Sequence, residues 1–329
     1  MSKTPLVSII IPCYNHEKFL DDCLLSVIEQ DYKNIELLIC DDASPDNSYE
    51  KILSYKEKLE KRFSRVEILK NDNNCGVTKN INRMLSVSKG TFVKTLASDD
   101  CMAPTAISKM VNYLLSNETV DVVISNGITV LESERYPNLT PQGRIYDTPP
   151  DLSDTDLFVR TAKCNRISAP AAMVRQSVYE KHGYYDETLK VEDYEFWLRI
   201  ISQGVCRFGF LDENLIYYRI NANSMTSMVN NSDLAKRRKA FHSSELKTLL
   251  KFKDKFPPDI YAEIVVEKIL NERYLAVSYN MNDWERELRL SFKSLKEKKS
   301  LPVLKKVKYN LFYTKQNLKF LLKKANILK

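Results

Sequence analysis

The sequence predicts an α/β fold with a mostly parallel central sheet, followed by a helical extension toward the C-terminal end. In the first hundred residues, apolar runs of strand length alternate with amphipathic helical segments, a pattern typical of parallel strands joined by crossover helices. Residues 6–12 are almost continuously apolar, as expected of a strand buried on both faces. Beyond residue 232 the apolar spacing is helical throughout.

The elements before residue 222 follow in a regular order. Strands are predicted at residues 6–12, 35–40, 66–69 and 91–96, and helices at 17–30, 46–59 and 77–88. They are followed by a helix at 103–116, strands at 120–124 and 171–174, and helices that begin at Gln176 and near Glu192. Residues 132–154 are polar and contain four prolines, so we expect a surface loop there.

A polar connector at 223–232 divides the chain. We therefore expect a first domain at 1–222, a helical extension at 223–290 and a lysine-rich amphipathic tail at 291–329. The tail contains twelve lysines and one glutamate, whereas the whole 329-residue chain has a net charge of +7. The rest of the protein is thus slightly acidic, and the positive charge belongs to the tail.

The basic tail has three possible interpretations. Its leucines and lysines occupy neighbouring faces of a helix, which favours binding to an anionic membrane surface. A solvated tail is the second interpretation. A nucleic-acid-binding arm is disfavoured because 291–329 contains no arginine, the residue most used to contact bases and phosphates. We predict peripheral membrane binding and no nucleic-acid partner.

Composition excludes several classes of protein. No run approaches the roughly 18 apolar residues of a membrane span, and the apolar N-terminal run is too short and too soon interrupted for a signal peptide. The seven cysteines are scattered and form no Cys-x-x-Cys pair. That pattern indicates reduced thiols rather than disulfides or a zinc site. We expect a cytoplasmic protein at the inner face of the cell membrane.

Two pairs of adjacent carboxylates stand at the ends of predicted elements. Asp99 and Asp100 come directly after the strand at 91–96, and open α/β sheets bind their ligands at such strand ends. Adjacent carboxylates raise each other's pKa, and Mg²⁺ or Mn²⁺ would relieve that repulsion. The alternative is a solvated turn or a helix N-cap. Glu192 and Asp193 stand at a predicted helix N-terminus, where simple capping is again the alternative.

Two other signals carry little weight. The dinucleotide motif Gly-x-Gly-x-x-Gly is absent, so nothing supports a nicotinamide or flavin cofactor. The three histidines, His16, His182 and His242, are far apart and lack metal-ligand spacing. We interpret them as ordinary surface or loop residues, and Trp197 and Trp284 as residues of helix cores.

The ordered motifs together resemble glycosyltransferase family 2, inverting nucleotide-sugar transferases with the GT-A fold. The resemblance covers residues 6–222 and rests on six motifs in the family's order. They are the opening strand through Asn15, the helix at 20–30, the strand ending in Asp41-Asp42-Ala43-Ser44, the Asn74-Cys75-Gly76 segment through Asn82, the strand leading to Asp99-Asp100, and the segment from Gly183 through Glu192-Asp193 to Arg199. Residues 223–329 match nothing in that core.

The resemblance assigns donor-binding roles. It implies that Tyr14 flanks the nucleobase, that Pro12 supports the loop beneath it and that Asp42 accepts a hydrogen bond from the base. That hydrogen bond would favour a UDP-sugar and leave guanine possible. Asn82 belongs to a segment implied to bind the donor, and Asp99 is implied to contact the ribose or the metal shell.

The resemblance also assigns the metal and the base. Asp100, with Asp99, would ligate Mg²⁺ or Mn²⁺ at the donor diphosphate. Asp193 would be the general base that deprotonates the acceptor hydroxyl, and Glu192 is the fallback. The sequence departs from the family at Ala97, where a fuller motif has Asp, and at Asn221, where many members have His. A metal-ligating role for Asn221 is therefore an open question.

We expect an inverting, non-processive bacterial hexosyl- or N-acetylhexosaminyltransferase. The Gln-x-x-Arg-Trp motif of processive members is absent, which implies transfer of one sugar to a glycan or lipid-linked acceptor. Surface polysaccharide or lipopolysaccharide synthesis is the implied setting. The alternatives are a catalytically silent nucleotide-sugar-binding or membrane-scaffolding relative and, less favoured, a sugar nucleotidyltransferase. The latter needs a glycine-rich loop where residues 13–16 stand.

Overall fold

A computed structural model provides the structure of the protein. It describes residues 4–145, 154–165, 167–221, 232–278 and 285–287. The chain divides into two compact units, Met1–Val229 and Asn230–Lys329. The predicted tail at 291–329 and Trp284 lie outside the described residues, as does the predicted connector apart from Ser232.

Nine strands belong to the N-terminal unit. They are β1 (Val7–Cys13), β2 (Ile35–Asp41), β3 (Arg65–Lys70), β4 (Phe92–Thr95), β5 (Cys101–Met102), β6 (Val122–Leu131), β7 (Gly143–Arg144), β8 (Ala172–Arg175) and β9 (Phe208–Ile220). These bounds confirm the predicted strands to within a few residues, except that β6 extends well beyond residue 124. The last strand, β9, contains the Tyr218-Arg219 pair that precedes Asn221.

Ten helices are described across the two units. They are α1 (Leu20–Ile28), α2 (Ser48–Ser54), α3 (Lys56–Arg62), α4 (Val77–Leu85), α5 (Ala106–Ser116), α6 (Asp154–Lys163), α7 (Gln176–His182), α8 (Glu192–Ser202), α9 (Ser232–Lys251) and α10 (Pro258–Ser278). The prediction of one helix at 46–59 is wrong, because two short helices meet at Tyr55. The Tyr55 hydroxyl donates to Asp21 on α1 at 2.8 Å.

The strands form one sheet in the order β3-β2-β1-β4-β8-β6-β9-β5, with β7 paired to β6. The first four of these strands are parallel, and Val7 of β1 stands opposite Ile35 of β2 and Phe92 of β4. Strand β8 is antiparallel to both of its neighbours. The strand order reverses between β1 and β4, and the carboxyl ends beside such a reversal form the usual ligand crevice of α/β sheets.

Burial explains why this part of the sheet is so apolar. Every residue of β2 is buried, and so is every residue of β1 except the partly exposed Pro12, because helices cover both faces of a parallel sheet. Gly90 lies where β4 begins, and a side chain there would meet the Ser8 backbone nitrogen at 2.5 Å. This close approach keeps β4 beside β1 and so positions the turn that follows β4.

Helix α8 is anchored by an aromatic cluster. Trp197 is fully buried, and its indole nitrogen donates to the Ile167 carbonyl at 2.9 Å. Phe196 stacks on Tyr179 with ring centroids 5.1 Å apart. The prediction that Trp197 belongs to a helix core is confirmed. The cluster fixes the helix whose first turn contains Glu192 and Asp193.

The described part of the C-terminal unit is helical, as predicted. Helices α9 and α10 pack against each other and bury Leu249, Ile264 and Ile269. Among the residues that the structure describes, no helix is both long enough and apolar enough to span a membrane.

Candidate active site

The turn after β1 presents an exposed aromatic side chain. Asn15 adopts a left-handed backbone conformation with φ of 57°. Its backbone nitrogen donates to Ser44 Oγ at 2.9 Å, and that of His16 donates to Ser48 Oγ at 3.0 Å. These bonds tie the turn to the segment after β2. Tyr14 remains 45% exposed, so its ring is available to a ligand at this edge of the sheet.

Asp42, at the end of β2, is held by hydrogen bonds from a neighbouring loop. The Cys75 and Gly76 backbone nitrogens donate to its carboxylate at 2.9 and 2.8 Å, and Asn71 Nδ2 donates at 2.7 Å. Gly76 has φ of 88°, a conformation that favours glycine. Burial raises the pKa of the Asp42 carboxyl, but these hydrogen bonds outweigh it and hold the pKa below its ordinary value. Asp42 is therefore an ionised acceptor.

Asp100, in the turn after β4, has a different environment. Its Oδ1 accepts from the Arg219 backbone nitrogen at 2.8 Å. Its Oδ2 is buried and has no hydrogen-bond partner among the described residues. Burial raises the pKa of this carboxyl well above its ordinary value, and the charge of Asp99 adds to the shift. The charges of Arg219 and Lys94 act in the opposite direction but do not outweigh burial. The site thus holds a buried carboxyl oxygen without a hydrogen bond from the described residues.

Asp99 contacts residues from two distant parts of the chain. Asn221 Nδ2 donates to Asp99 Oδ2 at 2.9 Å. His16 Nδ1 lies 3.8 Å from Asp99 Oδ1 and 2.8 Å from Ser98 Oγ. His16 lies in a loop, as predicted, and the fold brings it beside the carboxylate pair. Its spacing of 83 residues from Asp99 in the sequence gives no signal of this contact.

A cleft of about 390 Å³ lies next to His16. It is lined by Asn15, His16, Glu17, Lys18, Phe19, Asp21, Asp46, Lys51 and Asn221. The cleft therefore shares His16 and Asn221 with the surroundings of Asp99. Of its two lysines, Lys18 pairs with Glu132 and Lys51 pairs with Asp21 at 2.7 Å.

Arg219 holds the turn that contains Asp99 and Asp100. Its guanidinium donates to the Asp99 carbonyl at 2.9 Å, to the Glu134 carbonyl at 2.6 Å and to Asp22 Oδ2 at 2.8 Å. It also stacks over the Phe19 ring. Sequence reasoning assigned no role to Arg219, although its place in Tyr218-Arg219-Ile220-Asn221 was a usable signal. Its contacts make it a positioning residue for the turn.

Lys94 is a second buried cation near the turn. Burial lowers the pKa of its ammonium to about 7, while the charge of Asp100 acts in the opposite direction. The ammonium donates to the Pro170 carbonyl and, at 3.2 Å, to the Thr95 carbonyl. Pro170 lies in a short 3₁₀ turn, Ala169–Ala171, which follows the segment that contacts Asp193. Lys94 thus links β4 to that segment.

Asp193, in the first turn of α8, is oriented by Asn165. Asn165 Nδ2 donates to Asp193 Oδ2 at 3.1 Å, and Asn165 Oδ1 accepts from the Ile167 backbone nitrogen at 3.2 Å. The neighbouring residue, Glu192, is partly exposed to solvent when all of its atoms are considered. Burial of its carboxyl raises the pKa to about 8, and the charge of Asp193 adds to the effect. Nothing in the sequence pointed to Asn165.

Asn82 holds the segment that leads into α8. Its Nδ2 donates to the Tyr185 carbonyl at 2.9 Å and to Glu187 Oε1 at 3.0 Å, and its Oδ1 accepts from the Tyr185 backbone nitrogen at 3.1 Å. Thr78 Oγ1 also donates to the Leu189 carbonyl at 3.5 Å. Helix α4 thus connects the loop around Asp42 with the helix of Asp193. A direct contact of Asn82 with a donor stays a prediction.

The Asp99–Asp100 turn fits a divalent cation. Its ligand atoms are carboxylate oxygens, which Mg²⁺ and Mn²⁺ prefer, and Asp100 Oδ2 is buried without a hydrogen bond. An unpaired buried carboxylate oxygen is costly unless a cation compensates it. Asn221 directs its Nδ2 toward Asp99, so in this structure its amide acts as a donor to Asp99.

Apart from Pro12 within β1 and Asn82 on α4, the residues predicted for the site thus lie in turns at the carboxyl ends of β1, β2 and β4 and in the first turn of α8. A model of the family described as glycosyl transferase family 2 matches residues 8–183, more than half of the chain. The chain belongs to glycosyl transferase family 2. This confirms the resemblance stated from the motifs, and it makes the protein a glycosyltransferase.

Relatives agree with this assignment. An uncharacterized glycosyltransferase of Haemophilus influenzae is 27% identical over 343 residues, covering 100% of both chains. The UDP-Glc:alpha-D-GlcNAc-diphosphoundecaprenol beta-1,3-glucosyltransferase WfaP of Escherichia coli is 30% identical over 225 residues, which is 68% of this chain and 80% of the relative. Both alignments extend beyond residues 8–183, the part of the chain that the family model matches.

Solved structures confirm the GT-A fold. Staphylococcus aureus TarS in complex with UDP-GlcNAc has a TM-score of 0.55 at 19% identity, over 88% of this chain and 92% of that one. The mannosyltransferase PcManGT of Pyrobaculum calidifontis, in complex with GDP-Man and Mn²⁺, has a TM-score of 0.56 at 15% identity, over 95% and 81%. Identities this low establish the shared fold alone.

Proposed function

We propose that the chain is an inverting transferase that moves one sugar from a nucleoside-diphosphate sugar to a hydroxyl of a glycan or lipid-linked acceptor. The observation that carries this proposal is the Asp99–Asp100 turn at the carboxyl end of β4, where Asp100 Oδ2 is buried without a hydrogen bond. Such an oxygen suits a cation that binds a diphosphate. The exposed ring of Tyr14 lies on a turn at the same edge of the sheet.

The donor is a UDP-sugar in this proposal. Tyr14 supplies a face for the nucleobase, Pro12 supports the turn, and the ionised carboxylate of Asp42 accepts a hydrogen bond from the base N–H. Asn82 sets the position of the segment between α4 and α8. The complexes of TarS with UDP-GlcNAc and of PcManGT with GDP-Man support a nucleoside-diphosphate sugar as the class of donor.

Asp100 and Asp99 are the residues that would hold Mn²⁺ or Mg²⁺. The bound ion supplies positive charge that stabilises the departing diphosphate. Arg219 keeps the two carboxylates in place through its backbone N–H and its guanidinium. His16 and Asn221 adjoin Asp99 at the edge of the proposed metal site.

Asp193 is the proposed general base. It accepts the proton of the acceptor hydroxyl while the hydroxyl oxygen forms a bond to the anomeric carbon and the bond from that carbon to the diphosphate breaks. In-line attack inverts the configuration. Glu192 is the weaker candidate, because burial raises the pKa of its carboxyl, whereas Asp193 is oriented by the hydrogen bond from Asn165.

The acceptor belongs to bacterial surface polysaccharide or lipopolysaccharide assembly in this proposal. The name of WfaP specifies a GlcNAc-diphosphoundecaprenol acceptor, and that relative supports a lipid-linked acceptor for this chain. An acceptor of this kind resides at the membrane, so the proposal also places the protein at the inner face of the cell membrane.

The tail at 291–329 is proposed to bind that membrane surface through its twelve lysines. Deleting 291–329 should release the protein from vesicles that contain anionic lipid, while activity on a soluble acceptor is retained. Vesicle co-sedimentation measures this, with neutral phosphatidylcholine vesicles as the control. Undiminished binding by the truncated chain would contradict the membrane role of the tail.

A donor panel tests the proposed reaction. Each nucleotide sugar is incubated with a lipid-diphosphate-linked glycan acceptor in Mn²⁺, Mg²⁺ or EDTA, and product and nucleoside diphosphate are measured together. We expect metal-dependent release from one UDP-sugar and an inverted anomeric linkage in the product. Retained anomeric configuration would contradict the mechanism. Donor binding without turnover of any acceptor would favour the catalytically silent alternative.

Asp193→Asn should reduce transfer by at least about a thousandfold, within the range expected for loss of an essential base, while donor binding stays nearly unchanged. The matched control is Glu192→Gln, which alters the adjacent carboxyl and should retain most of the activity. Transfer by Asp193→Asn at the wild-type rate would remove the assignment. Loss confined to Glu192→Gln would move the role to Glu192.

A further inference from the structure

A second cluster of metal-ligand side chains lies in the C-terminal unit. His242 and Glu245 are three residues apart on α9 and therefore share one face of that helix, and Glu272 lies on α10. His242 Nδ1 is 2.8 Å from Glu245 Oε2 and 3.6 Å from Glu272 Oε1. One ligand atom from each of the three residues lies within 4.8 Å of the others.

Glu272 provides an independent indication that the cluster binds a cation. The residue is 1% exposed, and its Oε1, directed at His242, has no hydrogen-bond partner among the described residues. Burial raises the pKa of this carboxyl to about 8, and the charge of Glu245 adds to the effect. A buried carboxyl that lacks a hydrogen bond costs free energy unless a proton or a cation neutralises it.

Lys268 is the cation of the cluster, and it does not donate a hydrogen bond to Glu272 Oε1. Lys268 Nζ donates to Glu245 Oε1 at 2.7 Å, so it pairs with the oxygen of Glu245 that faces away from the His242 contact. Glu245 Oε2 remains directed at His242 Nδ1. Two carboxyl groups, one ammonium and the imidazole of His242 therefore meet between α9 and α10, and Glu272 Oε1 has no hydrogen bond from the described residues.

We propose that His242, Glu245 and Glu272 bind a divalent transition-metal ion of the Zn²⁺ class between α9 and α10. One imidazole nitrogen and two carboxylate oxygens are a ligand set that suits Zn²⁺. Ligands about 2.1 Å from a tetrahedral ion are roughly 3.4 Å apart, and the two measured separations from His242, 2.8 and 3.6 Å, lie on either side of that value. Water completes the coordination, and Lys268 keeps its bond to Glu245.

This ion would be structural. It joins two helices of the C-terminal unit and neutralises the charge on Glu272. The site is chemically distinct from the Asp99–Asp100 turn, whose oxygen ligands favour Mg²⁺ or Mn²⁺. The two sites should therefore differ in ion preference.

The test uses the full chain after treatment with chelator and desalting. Zn²⁺ is titrated by calorimetry in two buffers of different ionisation enthalpy, which reports stoichiometry, affinity and proton release. Co²⁺ is then added as a spectroscopic probe, because four-coordinate Co²⁺ absorbs strongly in the visible range. Glu272→Gln and His242→Gln each remove one ligand at nearly constant volume, and Glu267→Gln is the control at an exposed position on α10.

We expect one Zn²⁺ equivalent whose affinity falls at least tenfold in Glu272→Gln and in His242→Gln but not in Glu267→Gln. The visible Co²⁺ bands should disappear in the same two variants and persist in Asp100→Asn, which isolates this site from the Asp99–Asp100 turn. Circular dichroism verifies that each variant is folded. Equal Zn²⁺ affinity in the wild type, Glu272→Gln and His242→Gln would overturn the proposal. The proposal would also fail if the protein bound Zn²⁺ only at a site that is lost in Asp100→Asn.

Discussion

The turn that contains Asp41 and Asp42 and the turn that contains Asp99 and Asp100 have the same local chemistry. Each is an Asp-Asp pair at the carboxyl end of a parallel strand. Asp42 accepts three nitrogen hydrogen bonds, two of them from backbone N–H groups. Asp100 accepts only one that the structure describes, and its second oxygen is buried without a partner. The pKa is lowered for Asp42 and raised for Asp100.

This difference explains how one sheet edge can carry two functions. The loop at 71–76 compensates the Asp42 charge, so that carboxylate stays ionised as a hydrogen-bond acceptor without any cation. The charge at Asp100 is compensated incompletely by the protein, and for this reason we propose the turn after β4 as the metal site. The two pairs are alike in sequence, and their surroundings give them different chemistry.

The largest expected effect is at Asp100. Asp100→Asn should lower metal-dependent turnover about a thousandfold, since the charge stabilisation that a metal supplies is several kcal/mol. In the absence of metal at neutral pH, the free energy of unfolding of Asp100→Asn should be equal to or greater than that of the wild type. The reason is that the substitution removes a buried carboxyl whose pKa is raised. The free-energy cost of burying that carboxyl applies above its ordinary pKa of about 3.9.

Steady-state kinetics across Mn²⁺ concentrations and urea unfolding in EDTA measure the two quantities. Asp72→Asn is the matched control, because Asp72 is exposed and undergoes the same change of carboxylate to amide. Wild-type turnover by Asp100→Asn would show that the turn after β4 does not hold the metal.

An intermediate effect is expected at Asp42. Asp42→Asn places an amide NH₂ opposite backbone N–H groups, so it should cost about 1–3 kcal/mol of unfolding free energy and weaken UDP binding roughly tenfold. The folded-state pKa of Asp42 is lowered, so its stabilisation is fully present above its unfolded pKa of about 3.9 and is lost as pH falls through the folded pKa.

The difference in unfolding free energy between the wild type and Asp42→Asn should therefore be constant from about pH 5 to 7 and shrink below about pH 4. Urea unfolding across that range measures the profile, and calorimetric titration with UDP measures the binding. A difference that grows as the pH falls would contradict the assignment of an ionised, hydrogen-bonded Asp42.

The smallest effect is expected at Asn221. Asn221→Ala removes the 2.9 Å hydrogen bond to Asp99, so Asp99 should be less well oriented and the Mn²⁺ concentration for half-maximal activity should rise about threefold to tenfold. The rate at saturating Mn²⁺ should change little. Ile220→Ala is the control, because the neighbouring side chain is exposed. A fall in the saturated rate with unchanged Mn²⁺ dependence would instead give Asn221 a role in the chemical step.

Much of the N-terminal unit was predictable because its signals are local. The alternation of β1, β2, β3 and β4 with helices follows from apolar periodicity, and the carboxylate pairs end the strands that precede them. The helix predicted at 46–59 failed at Tyr55, where a side-chain contact with α1 accompanies the break. Helix periodicity within one segment carries no information about such a contact.

The sequence by itself determined the order of the strands and helices and the carboxylates at strand ends. It also determined the family membership that the motifs suggest and the charge of the tail. Only the tertiary structure decided which residues complete the site. Asn221 reaches Asp99 across 122 positions, Arg219 reaches Asp22 across 197, and His16 reaches Ser98 across 82. These contacts depend on how β9 and the turn after β1 meet the end of β4, and that arrangement is set by packing of the whole sheet rather than by any local pattern.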